Sequence, residues 1–200
     1  MNLPNKLTTA RIVLTFVFIY LLWARFPWCK LAALAAFAAA VASDFFDGWL
    51  ARRGHGVTDY GKLMDPVADK LIVCAALISF VQLPATHVPV WMVVVIIGRE
   101  FIVTSLRLLA LSNGQVLAAG LWGKHKTASQ IAAISLILAI LALKDISSYL
   151  GIDAGLRPFY DQAYFARLVF WIMMVTVVMT VGSGLFYLYE NRGLFWEGKR

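Results

Sequence analysis

Charged residues are scarce in this 200-residue chain, since Asp, Glu, Lys and Arg together make up only 14% of it. Hydrophobic residues make up 61%, whereas a soluble domain carries about 45–50%. The excess falls in long runs, which indicates membrane spans rather than one large soluble core. The net charge of +7 does not indicate a nucleic-acid-binding protein, because no soluble module remains to carry a basic surface.

Cysteine is also rare, and the chain has no separate soluble segment. Cys29 and Cys74 lack any metal-binding or redox spacing, so we interpret both as small apolar residues. No small-residue cleavage site closes the hydrophobic run of residues 12–23, which favours a first transmembrane helix over a signal peptide. Without internal repeats or low-complexity tracts, the chain is predicted to form a single domain over residues 1–200.

Six segments approach the length of about 20 mostly apolar residues that a membrane-spanning helix needs. They cover residues 9–27, 31–51, 66–83, 88–110, 127–143 and 164–189. The predicted fold class is therefore an all-α polytopic membrane protein with six transmembrane helices.

Basic residues predict the orientation of these helices. With the N-terminus in the cytoplasm, the far side of the membrane carries only Arg25, Lys30, Lys144, Arg157 and Arg167 of the 18 lysines and arginines. The remainder lie on the cytoplasmic side, as the positive-inside rule expects. Six spans then return the C-terminus to the cytoplasm.

Four aspartates cluster around the connection between the second and third predicted helices. Asp44 and Asp47 are three residues apart, and Asp65 and Asp69 are four apart, so each pair lies on one helical face. If these helices form an antiparallel pair, the four carboxylates meet near the cytoplasmic edge. Because one Asp within a membrane helix costs about 2.5–3.5 kcal/mol, such a cluster requires compensating positive charge.

Divalent metal ions would supply that charge. An oxygen-only ligand set suits Mg²⁺ or Mn²⁺, and the absence of Cys or His at ligand spacing argues against zinc. Two metals sharing such carboxylates are the arrangement used for displacement at phosphorus. The alternatives are structural: Asp44 pairs with Arg52 or Lys70, and Asp65, which precedes Pro66, caps the third helix.

Small residues accompany the acidic cluster. Gly48, Ala51 and Gly61 remove side-chain bulk where a ligand can approach the backbone, and Arg52 is placed to bind a phosphate. The whole pattern reads Asp44-x2-Asp47-Gly48-x2-Ala51-Arg52-x8-Gly61-x3-Asp65-x3-Asp69. It resembles the signature of the CDP-alcohol phosphatidyltransferases and departs from it at no specified position.

This resemblance implies six transmembrane helices around a polar cavity open to the cytoplasm, in a protein that is usually dimeric. It implies that Asp44, Asp47, Asp65 and Asp69 hold one or two divalent metals on the CDP pyrophosphate, and that Asp69 is also the general base. The residues it assigns to CDP-diacylglycerol are Gly48, Ala51, Arg52 and Gly61, with Thr8 from an N-terminal segment (Pro4–Arg11) that is also similar.

Two further segments resemble the bacterial phosphatidylglycerophosphate synthases within this family. They are residues 98–107 (GREFIVTSLR) and 123–130 (GKHKTASQ). The acceptor of that subfamily is sn-glycerol 3-phosphate. The resemblance covers nearly the whole chain and is weakest in residues 144–163, to which we assign no function.

Basic residues in these segments agree with a phosphorylated acceptor. Arg99 and Arg107 are eight residues apart and share a helix face, while Lys124 and Lys126 precede the fifth helix on the same membrane side. We predict that these four residues bind glycerol 3-phosphate. Glu100 either orients Arg99 or lies on the other face, and His125 receives no role.

The sequence thus predicts an enzyme of the bacterial inner membrane that transfers a phosphatidyl group from CDP-diacylglycerol to glycerol 3-phosphate and releases CMP. One alternative is the same chemistry with inositol phosphate or phosphatidylglycerol as acceptor; serine, which lacks a phosphate, fits the cations less well. Another is an ion-coupled carrier, since carboxylates within membrane helices also mark ion pathways. A carrier fits less well, because the acids gather at one interface and no second half repeats them.

Overall fold

Helices are the only regular secondary structure in the described part of the chain, which confirms the predicted all-α class. The computed structural model describes residues 3–51, 59–112, 121–151 and 161–192, with side chains for 8–43, 67–68, 70–112, 126–151 and 161–192. The six helices are α1 (Leu3–Trp23), α2 (Cys29–Ala51), α3 (Asp59–Gln82), α4 (Val90–Ser112), α5 (Leu121–Leu150) and α6 (Gln162–Glu190).

Several helices extend beyond the apolar segments that predicted them. The third begins at Asp59 rather than at residue 66, and the fifth covers Leu121–Leu150 rather than 127–143. Hydropathy marks only the apolar part of a helix, so polar turns at the ends are missed. Asp65 lies inside α3, so the alternative that it caps this helix is wrong.

Helix ends carry recognisable local signals. Gly151 follows α5 with a φ of 68°, a left-handed conformation that glycine adopts without steric cost. The Asp161 carboxylate accepts a hydrogen bond from the Ala163 N–H at 3.2 Å and caps α6. At the other end of α6, the Asn191 side-chain amide donates to the Tyr187 carbonyl at 2.8 Å.

The helices form a closed ring in the order α1, α2, α5, α6, α4 and α3. Each helix packs against its neighbours in that order, and α3 also contacts α2 and α5 across the ring. The contacts between Arg99 and Ser183 and between Arg107 and Tyr187 show that α4 and α6 run parallel. Because α3 contacts both α2 and α5, residues that are far apart in the sequence lie close together inside the bundle.

Apolar side chains fill one part of this interior and also cover much of the outside. Phe18 of α1 and Phe37 of α2 are fully buried, with ring centroids 6.0 Å apart. Among the described residues, Lys126–Leu150 and Gln162–Glu190 are long and apolar enough to cross a membrane. Shorter apolar helical segments cover Thr8–Trp23, Cys29–Ser43 and Lys70–Gln82.

Candidate active site

A polar cavity lies where five of the helices converge. Its described lining comes from α1, α2, α3, α4 and α5 and consists of Arg11, Ala40, Val41, Lys70, Ile72, Val73, Cys74, Glu100, Lys126, Thr127, Gln130 and Ile131. Three of these side chains are cationic and one is anionic. The α2 and α3 positions of the four aspartates, whose side chains are not described, continue from the lining residues Ala40 and Ile72.

Lys126 is the most deeply buried lysine of the cavity wall, with only 5% of the residue exposed. Its ammonium group forms an ion pair with the Oε1 atom of Glu100. Burying an ammonium group is costly unless it is paired, and Glu100 provides the partner. The ion pair joins α4 to α5 at the cavity.

Gln130 lies one helical turn beyond Lys126 and binds the same carboxylate. Its Nε2 atom lies 3.2 Å from Glu100 Oε1 and 3.4 Å from the Thr180 hydroxyl. Both Gln130 and Thr180 are buried, so these contacts satisfy polar groups that water does not reach. The network therefore extends from α4 through α5 to α6.

Arg99, the residue before Glu100 on α4, belongs to the same network. Its Nη2 atom donates to the Ser183 hydroxyl at 3.1 Å, and its Nη1 atom lies 3.7 Å from Glu100 Oε1. Ser183 in turn donates to the Thr180 carbonyl at 2.9 Å. Arg99 Nε is itself buried and has no hydrogen-bond acceptor within the described part of the chain.

Gly184 provides the space that the Arg99 side chain occupies. A Cβ atom at this position would lie 3.1 Å from Arg99 Cγ and 3.3 Å from Arg99 Nε. At Gly182, two residues earlier on α6, an added Cβ would meet no heavy atom within 4 Å. Of these two positions, only position 184 must be a glycine to leave room for the Arg99 side chain.

Arg107 lies about two helical turns beyond Arg99 and also contacts α6. Its guanidinium carbon is 6.0 Å from the centroid of the Tyr187 ring. Arg107 is exposed, whereas Arg99 is largely buried. Both arginines therefore contact the same neighbouring helix, as expected from their shared face, but they differ in depth.

One face of α1 carries polar residues into the bundle. Thr8, Arg11 and Thr15 are all at most 2% exposed and follow each other at spacings of three and four residues. The Thr15 hydroxyl donates to the Arg11 carbonyl at 2.9 Å, and Arg11 lines the cavity. Thr8, which the sequence assigned to the donor lipid, thus lies one turn from the cavity wall on the same face.

The remaining predicted site residues are located by their helices alone. Asp44, Asp47, Gly48 and Ala51 lie in the last turns of α2, Gly61, Asp65 and Asp69 lie in the first half of α3, and Lys124 lies in the first turn of α5. Their side chains, and Arg52 altogether, fall outside the described residues. The roles predicted for them stay predictions.

Sequence reasoning missed several of the polar residues that the structure brings together. Arg11 and Lys70 line the cavity but were assigned no ligand-binding role. The signal for Arg11 was available, because a basic residue between two threonines at helical spacing marks a polar face. Gln130, Thr180 and Ser183 carry no charge, and only the packing of α4, α5 and α6 reveals that they act together.

The described part of the chain is thus a bundle of six helices with charged side chains from several helices around one internal cavity. The family model described as CDP-alcohol phosphatidyltransferase matches residues 1–182. This chain belongs to the CDP-alcohol phosphatidyltransferase family.

Relatives with curated names share most of the chain. The CDP-diacylglycerol–glycerol-3-phosphate 3-phosphatidyltransferase of Bacillus subtilis (strain 168) is 40% identical over 208 aligned positions, which cover 98% of this chain and 96% of the relative. The protein of that name from Pseudomonas fluorescens is 41% identical, covering 70% of this chain and 73% of the relative. That from Sodalis glossinidius is 32% identical, covering 98% of each.

Proposed function

We propose that this protein transfers the phosphatidyl group of CDP-diacylglycerol to sn-glycerol 3-phosphate, forming phosphatidylglycerophosphate and CMP. The observation that supports the acceptor assignment is the buried Lys126, which lines the cavity beside Arg11 and Lys70 and keeps ammonium donors beyond its ion pair with Glu100. A fixed cation at this site suits a dianionic phosphate better than a neutral or zwitterionic acceptor. The names of relatives that match 98% of the chain support the same substrates.

The acidic positions gather at the same end of the bundle as the cavity. On α2, positions 44 and 47 follow Ala40 by one and two helical turns, and Ala40 lines the cavity. On α3, positions 65 and 69 precede the lining residue Ile72 by about two turns and one turn. Because α2 contacts α3, we expect the four carboxylates to face one another beside the cavity.

Four carboxylates in this arrangement fit one or two Mg²⁺ or Mn²⁺ ions, which prefer oxygen ligands. Asp44, Asp47, Asp65 and Asp69 would hold them. Bound there, the ions would neutralise the pyrophosphate of CDP-diacylglycerol and polarise the phosphorus that carries diacylglycerol.

The cations of α4 and α5 would then position the acceptor. Arg99, Arg107, Lys124 and Lys126 bind the phosphate of glycerol 3-phosphate, so that its free primary hydroxyl approaches the phosphorus in line. Asp69 accepts the hydroxyl proton, the new oxygen–phosphorus bond forms, and the bond to the CMP phosphate breaks as CMP leaves. Positioning and charge neutralisation supply most of the rate enhancement in such phosphoryl chemistry.

The exterior of the bundle supports a location within the membrane. Every helix exposes large apolar side chains, including Phe16, Leu31, Ile78, Ile102, Leu136 and Trp171. Lipid is the environment in which such a surface is stable. We propose that all six helices cross the bacterial cytoplasmic membrane with both termini in the cytoplasm.

CDP-diacylglycerol then enters the site from the cytoplasmic leaflet of the membrane. The residues that shape the site for its headgroup are Thr8, Gly48, Ala51, Arg52 and Gly61. The homodimer that the resemblance implies stays a prediction.

Removal of divalent metal is expected to abolish activity. Purified protein in detergent, given CDP-diacylglycerol, glycerol 3-phosphate and Mg²⁺, should release CMP only when all three are present. Treatment with EDTA should stop CMP release, and added Mg²⁺ or Mn²⁺ should restore it, because the pyrophosphate charge is otherwise not neutralised. Full activity after exhaustive metal removal would contradict the assigned role of the four aspartates.

The Gly184→Ala variant is expected to raise the KM for glycerol 3-phosphate by about three- to tenfold, since its methyl group displaces the Arg99 side chain. Gly182→Ala on the same helix is the matched control, because its methyl group meets no neighbour, and its KM should match the wild type. Steady-state kinetics of CMP release measure both. An equal effect in the two variants would show that helix α6, rather than Arg99, is being perturbed.

A further inference from the structure

Glu100 is the one acidic side chain among the described residues that line the cavity. A single oxygen atom, Oε1, receives the Lys126 ammonium group, lies 3.2 Å from Gln130 Nε2 and lies 3.7 Å from Arg99 Nη1. Two of these three groups are the cations to which the acceptor phosphate is assigned. Glu100 therefore lies between the residues that would hold the phosphate.

We propose that Glu100 is a positioning residue of the acceptor site, which holds the Lys126 ammonium group and the Arg99 guanidinium group at the spacing where both contact the phosphate of the acceptor. This inference rests on the proposed function. It adds a residue that does not itself bind the phosphate, because a carboxylate repels it.

The carboxylate is held in place by neutral polar residues. Gln130 is 3% exposed and also contacts the Thr180 hydroxyl, so its amide cannot follow Glu100 freely. A group fixed in this way can orient the flexible side chains that bind to it.

Both cations keep donors for a ligand while they contact Glu100. A lysine ammonium group has three donors, and Glu100 accepts one of them from Lys126. Arg99 donates from Nη2 to Ser183 and approaches Glu100 with Nη1, and each of these two nitrogen atoms carries a second N–H donor. We expect the phosphate to bind both cations without displacing the carboxylate.

Electrostatics favour the same role. Lys126 and Arg99 repel each other, and screening by solvent is weak because both side chains are largely buried. The carboxylate between them offsets this repulsion and keeps both side chains close to it. Removal of its charge would let the two cations move apart, and the phosphate would then meet one of them at a time.

The Glu100→Gln variant tests this proposal, because it keeps the size of the side chain and removes its charge. We expect the KM for glycerol 3-phosphate to rise about tenfold, as for the loss of one charge-assisted interaction, and the KM for CDP-diacylglycerol to change less than about twofold. Glu190→Gln is the matched control, since Glu190 is the exposed last residue of α6. It should match the wild type in both constants.

Glu100→Asp separates positioning from a structural role. It keeps the charge but shortens the side chain, so the KM for glycerol 3-phosphate should rise only about threefold and lie between those of the wild type and Glu100→Gln. If Glu100→Gln does not fold, a rise of about threefold in the KM of Glu100→Asp for glycerol 3-phosphate, with an unchanged KM for CDP-diacylglycerol, decides the matter. A wild-type KM for glycerol 3-phosphate in whichever variant folds would overturn the proposal.

Other outcomes of these measurements would also contradict the positioning role. If Glu100→Gln raises the KM values for both substrates equally and lowers the melting temperature, Glu100 only stabilises the bundle. Failure of the wild-type protein to use glycerol 3-phosphate would overturn the proposed function and this inference together. Normal use of glycerol 3-phosphate by the wild type and Glu100→Gln alike would overturn this inference alone.

Discussion

Asp69→Asn is expected to lower kcat by about 10³-fold or more, since a general base alone contributes about 10²–10⁴-fold. Asparagine has nearly the same size as aspartate but cannot accept the proton from the acceptor hydroxyl. It is also a poorer metal ligand, so both roles assigned to Asp69 are lost together. The measurement is the rate of CMP release under saturating concentrations of both substrates and Mg²⁺.

Asp145→Asn provides the matched control for this variant. Asp145 is a partly buried carboxylate near the end of α5 that lies 3.6 Å from the Cys29 sulfur, far along the helix from Lys126. Its replacement should leave kcat within about twofold of the wild type, a change worth less than half a kcal/mol. Both variants should insert into membranes and melt like the wild type. Normal turnover by the Asp69 variant would contradict its role as the base.

Lys126→Met is expected to reduce kcat/KM for glycerol 3-phosphate by about 100-fold, or about 2.7 kcal/mol. The substitution removes a charge-assisted contact to the phosphate. It also removes the closer of the two cations that contact Glu100, so the cavity then attracts an anion less strongly. The kinetics with glycerol 3-phosphate varied at saturating CDP-diacylglycerol measure this loss.

Two other variants are needed to interpret the loss of activity in Lys126→Met. Lys144→Met changes a half-buried lysine on the same helix, whose ammonium group lies 4.5 Å from the Phe165 ring centroid, and should leave kcat/KM unchanged. Lys126→Arg keeps the positive charge and should lose less activity than Lys126→Met. An unchanged KM for glycerol 3-phosphate in Lys126→Met would remove this residue from the acceptor site.

Much of the fold was predictable because apolar runs and helices coincide in this chain. All six predicted segments correspond to helices, since each run is too long for an ordinary strand and long enough for many helical turns. The boundaries of α3 and α5 were not predictable from hydropathy. Their first turns contain Asp59, Lys62 and Lys124, which an apolar window excludes although the helix continues through them.

The candidate site was predictable where charge marks it. Arg99 stands out as a cation within an apolar run, Lys126 was predicted from its place just before the fifth apolar segment, and the structure brings both to Glu100. The sequence did not predict which residues the Glu100 side chain contacts, because the sequence of one helix does not show which other helix packs against each of its faces. Gln130 and Ser183 contact these charges from α5 and α6, and no local pattern relates residues so far apart in the chain.

The central claim is the transfer of a phosphatidyl group to a phosphorylated acceptor. Its most direct test is mass spectrometry of the lipid formed by purified protein with CDP-diacylglycerol and Mg²⁺, supplied separately with glycerol 3-phosphate, inositol phosphate, serine or phosphatidylglycerol. We predict phosphatidylglycerophosphate from glycerol 3-phosphate and no new lipid from the other three. A product from another acceptor instead would contradict the assignment of Arg99, Arg107, Lys124 and Lys126, and the absence of any product from folded protein would contradict the transferase activity itself.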